Sequence, residues 1–386
     1  MKAGKPTKNL KMKIGVDVGC LAVKDQRLKL GVFRVAYNLL QELGKRDKKN
    51  QYFLYSFQQI PFAYKKTFGE NMTNIVAKPA SGWRYLALPF ALKKTRPDIF
   101  LGLSQSLPAL IFCPSVIIVH DLGFERYPEA YQNVDKIRKV TKRAVSRANR
   151  IIVPSEFTKK DLQKFYQVSE NKIEVVYEGC ESFFKPANRK EIEKIKIKYS
   201  LKSPYFLFVG AFKKTKNLPQ IIKAYSKLQS RVKEQSSFVI AGSDFWFDEE
   251  IKQAIDSLPN QKIVINLGYV EDKDLPALYS GALAFVSPSL FEGFGITHLE
   301  AMKCGCPVIG SKSGATPEVV GQAGILVNPE DEIEIYQAMK KISENASLRQ
   351  QLIKVGISQA ESFSWKNFSN KVLDILTEQE RRKWQE

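Results

Sequence analysis

Two carboxylates with seven residues between them, Glu292 and Glu300, flank the stretch Gly293-Phe294-Gly295-Ile296, and the helical run that follows is brought to an end by Gly305 and Pro307. Gly293 and Gly295 let the backbone pass close to a ligand with its amides exposed, and the helix adds the positive end of its dipole. Such a place suits an anionic or hydroxyl-rich ligand. A carboxylate in the loop and another a turn into the helix can accept hydrogen bonds from the paired hydroxyls that a sugar or a ribose offers. The same residues also fit a purely structural purpose, because Thr297 and Glu300 have capping-box spacing.

A second constellation follows the apolar run Tyr205–Val209: Gly210, then Lys213, Lys214 and Lys216, with Asn217 placed to cap the next helix. Strand, glycine, basic loop and helix start together concentrate positive charge on one anion, so the loop is suited to a diphosphate; an ordinary exposed loop would carry lysines too. Near the N-terminus Gly31, Val32 and Arg34 open another helix. His120-Asp121-Leu122 stands at the end of the apolar strand Val116–Val119, where an imidazole could hydrogen-bond a sugar hydroxyl or position an acceptor. The pair Asp272 and Asp274 has Asp-x-Asp spacing, but Asp274 precedes a helix and reads as its cap rather than as a metal ligand. Two histidines and five scattered cysteines, with no Cys-x-x-Cys, make a zinc site unexpected, so no metal is expected and the thiols read as reduced.

These residues must be positioned by something, and the chain supplies short β-branched and aromatic runs alternating with helical patterns, the signature of parallel sheets built from βα units. Strands are expected at Met12–Val18, Gln51–Phe57, Thr73–Ala77, Asp98–Leu101, Val116–Val119, Arg150–Val153 and Lys172–Tyr177. A second series is expected at Tyr205–Val209, Ser237–Ala241, Lys262–Leu267, Leu283–Val286, Pro307–Ile309 and Gly324–Val327. At 386 residues and 44% hydrophobic content the chain is long enough for two cores. The fold class is therefore α/β, two doubly wound Rossmann-like domains facing a cleft, with residues 1–186 in the first and 187–362 in the second. Lys185-Pro186 marks the join, and residues 363–386 form a final amphipathic helix in which Trp365 and Phe368 read as core anchors. The Gly-x-Gly-x-x-Gly fingerprint is missing after the first strand, which argues against a dehydrogenase.

The net charge of +20 is uneven: up to Pro186 there are 33 Lys and Arg against 16 Asp and Glu, a net of +17, leaving +3 for the remainder. Much of the excess lies in the tail Met1–Lys13 and in Asp135–Arg150, a helical stretch with Lys136, Lys139, Arg143, Arg147 and Arg150 along one side. A solvated face, an anionic membrane or a pyrophosphate-bearing acceptor would each explain it; there is no recognition module for nucleic acid. No apolar run is long enough to span a bilayer, the stretch Leu107–Val119 being broken by Pro108 and Pro114, and the basic tail lacks a signal-peptide core. The protein is read as cytoplasmic, peripheral at the inner face of the membrane.

Taken together, the motifs resemble those of the retaining glycosyltransferases of family four, the GT-B group typified by bacterial mannosyl- and glucosyltransferases. The resemblance covers almost the whole chain. It rests on the helix opening at Gly31, the His120-Asp121-Leu122 corner, Val153-Pro-Ser155-Glu-Phe-Thr158, the loop ending Lys216-Asn217, Leu267-Gly268-Tyr269-Val270, and Glu292 to Pro329 with Gly314, Pro317-Glu318-Val319 and Gly324 in register. It implies that Glu292 and the amides of Phe294, Gly295 and Ile296 hold the donor sugar, that Glu300 holds the ribose, and that Lys216 neutralises the diphosphate. Gly210, Lys213 and Lys214 would complete the donor site, His120 would lie near the transferred sugar, and Gly31, Val32 and Arg34 would line the acceptor and phosphate side. It implies retention by a front-side mechanism without a protein nucleophile, and a final helix that crosses back to the first domain. No cofactor is expected, the nucleotide sugar being a substrate. GDP-mannose is the favoured donor, with a glycan or lipid-linked acceptor; UDP-glucose or UDP-N-acetylglucosamine is the alternative donor. An epimerase and a non-catalytic nucleotide-sugar-binding protein are the competing classes. Relatives carry an arginine at one of the places held here by Ala211 and Thr215, and a small, apolar or proline residue in place of His298, so an unusual sugar pocket is expected.

Overall fold

The computed structural model describes residues 11–22, 31–201, 204–229, 236–242 and 249–383. The basic tail up to Leu10, and Lys29 and Leu30 ahead of the first helix, lie outside the described residues. Among the described residues there are thirteen strands, each within three residues of its expected bounds at either end. They are β1 Lys13–Asp17, β2 Gln51–Ser56, β3 Met72–Val76, β4 Ile99–Gly102, β5 Ser115–Ile118, β6 Arg150–Val153 and β7 Ile173–Val175 in the first series. The second comprises β8 Tyr205–Val209, β9 Ser237–Ala241, β10 Val264–Gly268, β11 Ala284–Ser287, β12 Val308–Ser311 and β13 Gly324–Val327.

The strands form two sheets, ordered β3-β2-β1-β4-β5-β6-β7 and β10-β9-β8-β11-β12-β13, with every pairing parallel. Parallel strands covered on both faces need near-continuous apolar runs, and β4, β5, β8 and β11 are such runs, buried almost throughout. The strand order reverses beside β1 in one sheet and beside β8 in the other, so each sheet opens a crevice at the carboxyl ends of its central strands. The helices Gly31–Arg46 and Ile296–Lys303 begin at these two edges.

After the join, the helix Arg189–Lys198 is opened by a capping box between Asn188 and Glu191. The final helix, Trp365–Lys383, inserts Trp365, Phe368, Val372 and Leu376 into the core that β1 and the helix Gly31–Arg46 share, so the chain's last element is fastened to the first sheet. Close to its start, a Cβ on Gly179 would lie 2.1 Å from the Trp365 amide nitrogen, so only glycine admits the crossing there. None of the five cysteines is in a disulfide. Two expectations need correction. The basic helix spans Val134–Arg147 and Arg150 belongs to β6, because the chain turns extended at Ala148. Asp274 stands at a helix start but its side chain makes no cap; it accepts from Lys198 Nζ at 2.5 Å and from the Tyr199 hydroxyl at 2.8 Å, a stronger pairing than a backbone amide offers.

Candidate active site

The loop after β8 builds one wall. The Lys214–Lys216 turn and Asn217, in a left-handed conformation, lead into the helix Leu218–Gln229. Asn217 does not cap that helix with its side chain, as expected from sequence; its amide donates to the carbonyls of Pro329 at 2.6 Å and Pro288 at 3.2 Å, tying the basic loop to the loops after β11 and β13. Lys213 and Lys216 line the cleft. Lys214 does not, and extends towards Glu250 at 3.7 Å. Thr215 is buried, its carbonyl accepting from the Leu290 amide, so this departure from the family pattern is absorbed by packing. Ala211 lines the cleft.

The turn before the helix Ile296–Lys303 continues this wall, joined to it by the Lys216–Glu292 pair. Gly295 is left-handed at the helix start, and the expected capping box between Thr297 and Glu300 does not form, because Glu300 is occupied elsewhere. Glu292 Oε1 accepts from Lys216 Nζ at 2.5 Å and from the Ser289 hydroxyl at 2.8 Å. Burial pushes the Glu292 pKa up, but the Lys216 ammonium outweighs it, so the group sits below its ordinary value and is ionised. Burial pushes the Lys213 pKa down.

Arg34, carried by the first turn of the helix Gly31–Arg46, crosses the cleft. Its guanidinium donates to Glu300 of the second half and, at 2.9 Å, to Glu181 in the connecting segment. Tyr279 donates its hydroxyl to the other oxygen of Glu300 at 3.0 Å. Burial, with Glu181 adding repulsion, raises Glu300 to about 7 even though Arg34 pulls the other way. Burial works against the Arg34 charge, yet Glu300 and Glu181 raise its pKa above the ordinary value. Both oxygens of the carboxylate expected to hold a ribose thus already have donors.

His120 lines the same cleft, and both of its ring nitrogens face protein partners. Nε2 faces the Leu103 carbonyl at 3.0 Å, so it carries a proton, and Nδ1 faces Glu178 at 3.4 Å. Burial opposes protonation, and Glu178 more than compensates, raising the imidazole pKa. His298, expected to alter the sugar pocket, lies beneath it. Fully buried, it points into the sheet, with Nε2 against the Ser287 carbonyl at 3.0 Å and its ring edge-on to Phe285, and burial lowers its pKa.

The halves touch at a second place that sequence reasoning did not identify. Ser155 caps the helix Glu156–Tyr166 and donates its hydroxyl to the Gly293 carbonyl at 2.7 Å. Glu318 reaches over from the second half to accept from the amides of Glu156 at 2.8 Å and Phe157 at 2.7 Å, the exposed donors of that helix. A Cβ on Gly293 would lie 2.4 Å from the His120 carbonyl oxygen, so glycine is required for this approach of the two walls. The Ser155 and Glu318 motifs were visible in the sequence; their partnership was not.

The resulting cleft holds about 470 Å³ and is lined by Gly31, Val32, Arg34, His120, Gly210, Lys213, Lys216, Glu292, Gly293, Phe294, Gly295, Ile296 and Glu300. Of the residues expected to form the donor and acceptor sites, Lys214 alone is absent from that lining. Glu178 is an addition, and Asp121, Tyr269 and Asp272, which the sequence motifs include without a role in the site, line it too. Among the described residues no group of three or more His, Cys, Asp or Glu is arranged to hold a metal ion.

Two parallel, doubly wound sheets that share one cleft between them form the GT-B fold of glycosyltransferases. Sucrose-phosphate synthase from Thermosynechococcus elongatus has this fold, aligning with a TM-score of 0.78 over 95% of this chain and 99% of that one at 18% identity. Residues 31–182 match the profile of Glycosyltransferase Family 4, and residues 189–359 that of Glycosyl transferases group 1. O-antigen chain mannosyltransferase B of Escherichia coli is 30% identical over 289 residues, covering 74% of this chain and 75% of that protein. O-antigen chain mannosyltransferase RfbU of Salmonella typhimurium is 30% identical over 260 residues, covering 67% of this chain and 69% of its own length. The chain belongs to the family 4 glycosyltransferases and is an enzyme of glycosyl transfer.

Proposed function

We propose that this enzyme transfers mannose from GDP-mannose to a lipid-linked or polysaccharide acceptor, with retention and without a metal, at the cytoplasmic face of a membrane. The observation that carries the donor reading is the meeting of Lys216, Lys213 and the start of the helix Ile296–Lys303 on one side of a cleft whose far end holds Glu300. In the proposed reaction the bond between the sugar's anomeric carbon and the diphosphate oxygen breaks, leaving charge where the lysines and the helix dipole converge. The acceptor oxygen adds from the same face, and its proton passes to the leaving diphosphate. Glu292 and the amides following Gly293 hold the sugar hydroxyls, and Glu300 takes the ribose once Arg34 yields it. Gly31 and Val32 border the acceptor side, and His120, whose pKa Glu178 raises, lies near the transferred sugar. Mannose is favoured because both relatives carry mannosyltransferase names. The basic first half adds attraction to anionic lipid.

Incubation with GDP-mannose and lipid-linked oligosaccharide in EDTA, with the product's anomeric configuration read by NMR, tests this reading. An α-linked mannosyl product supports it. Transfer from UDP-glucose instead would move the donor assignment. Donor interconversion without transfer, or nucleotide binding without turnover, would replace the activity by an epimerase or a binding function.

A further inference from the structure

Two segments of the first sheet's surround place large apolar side chains in solvent side by side. Leu86 and Phe90, on one face at the start of the helix Ala87–Thr95, are 74% and 73% exposed, with Tyr85 beside them. Leu110 and Phe112, in the loop between β4 and β5, are 60% and 62% exposed. In that loop Ile111 turns inward to the cluster of Trp83, Leu88 and Phe100, so its two neighbours face out. The segments are joined: the Ala109 amide donates to the Arg84 carbonyl at 3.0 Å. No helix among the described residues is long and apolar enough to cross a membrane, so this patch is not part of a span.

Charge of one sign borders the patch. Lys93, Lys94 and Arg96 follow Phe90 and are exposed. The helix Val134–Arg147 is fastened to the same loop by Arg143, donating to the Ala109 carbonyl at 3.2 Å, and Arg147, donating to that of Pro108 at 3.0 Å. That leaves Lys136, Lys139 and Lys142 in solvent, against Asp135 as the helix's single acidic residue. A second copy of this chain docking patch to patch would bring two basic rims together, which is unfavourable. An apolar centre with a lysine-rich rim instead complements a surface that is greasy below and anionic at headgroup level.

We propose that this patch is the face with which the enzyme docks on an anionic phospholipid bilayer, Leu86, Phe90, Leu110 and Phe112 entering the boundary below the headgroups while the lysines bind lipid phosphates. The inference deepens the membrane-face reading proposed above, but its test uses no sugar transfer, so either can fail alone. The full chain is sedimented with vesicles of phosphatidylcholine, with and without phosphatidylglycerol, at low and high salt. Wild type is expected to sediment with the phosphatidylglycerol vesicles and to be released in part by salt. Leu86→Ser/Phe90→Ser and Leu110→Ser/Phe112→Ser should each bind on the order of tenfold or more weakly, and Lys136→Glu/Lys139→Glu/Lys142→Glu should lose the dependence on phosphatidylglycerol. An unchanged melting temperature shows that each variant folds; the residues are exposed, so it is expected to hold. Vesicle binding unaffected by both serine pairs overturns the proposal, as does wild type that ignores anionic vesicles. Concentration-dependent dimerisation abolished by the serine pairs would make the patch a self-association face instead.

Discussion

Glu300 offers the sharpest physical test, because the structure gives its carboxyl a donor on each oxygen and still raises its pKa to about 7 from an ordinary 4.5. A group whose folded pKa lies above its unfolded value binds more protons when folded. Its contribution to stability is therefore complete below pH 4.5 and is lost as pH rises to about 7. The interval is worth about 3 kcal/mol, at about 1.4 kcal/mol for each pH unit crossed. Glu300→Gln keeps the shape and an oxygen for Arg34 but cannot titrate. Urea unfolding of wild type and variant at steps between pH 4.5 and 8 isolates the effect in their difference, since His120 and the other carboxylates are common to both. The wild type's advantage should fall by about 3 kcal/mol across this range and level off above pH 7. A difference that stays flat from pH 4.5 upwards would mean that Arg34 holds Glu300 as an ordinary ion-paired carboxylate, and the reasoning from burial would be refuted.

Other expectations follow from the same geometry. Lys216→Ala should lower turnover on the order of 10²- to 10³-fold with circular dichroism unchanged, and near-wild-type turnover would remove Lys216 from the diphosphate. Arg34→Ala leaves Glu300 and Glu181 facing each other without a cation and should cost about 3–5 kcal/mol in urea unfolding; a loss below 1 kcal/mol would show the triad to be solvated. Gly293→Ala would drive a Cβ into the His120 carbonyl, so it should depress kcat while each half stays folded, as protection of amides in β5 and β11 from exchange can report. EDTA should leave transfer intact; loss that added Mg²⁺ restores would contradict the metal-free reaction.

Much of the fold could be read in the sequence because parallel strands buried on both faces are written as short apolar runs, whatever their distant neighbours. The glycines of the cleft were legible for a similar reason: Gly293 and Gly295 stand where backbone must approach closely or turn left-handed. Side-chain partners were less legible. Arg34 and Glu300 are 266 positions apart, and nothing local announces that they meet. Asn217 and Asp274 occupy cap positions as sequence rules expect, but each found stronger tertiary partners than the adjacent amides. His298 looked like a pocket residue because the turn around it is one; its place in the helix aims it at the sheet instead. Lys214 shares the composition of the phosphate loop, yet the tight turn through Lys216 carries it to the far side.

A titration of the protein with GDP, UDP and ADP in EDTA, followed by melting temperature, tests most directly whether the cleft is a nucleotide-sugar site. The account predicts a saturable rise with GDP that Lys216→Ala abolishes, because binding to the folded state alone stabilises it by mass action. No rise with any nucleotide would contradict it.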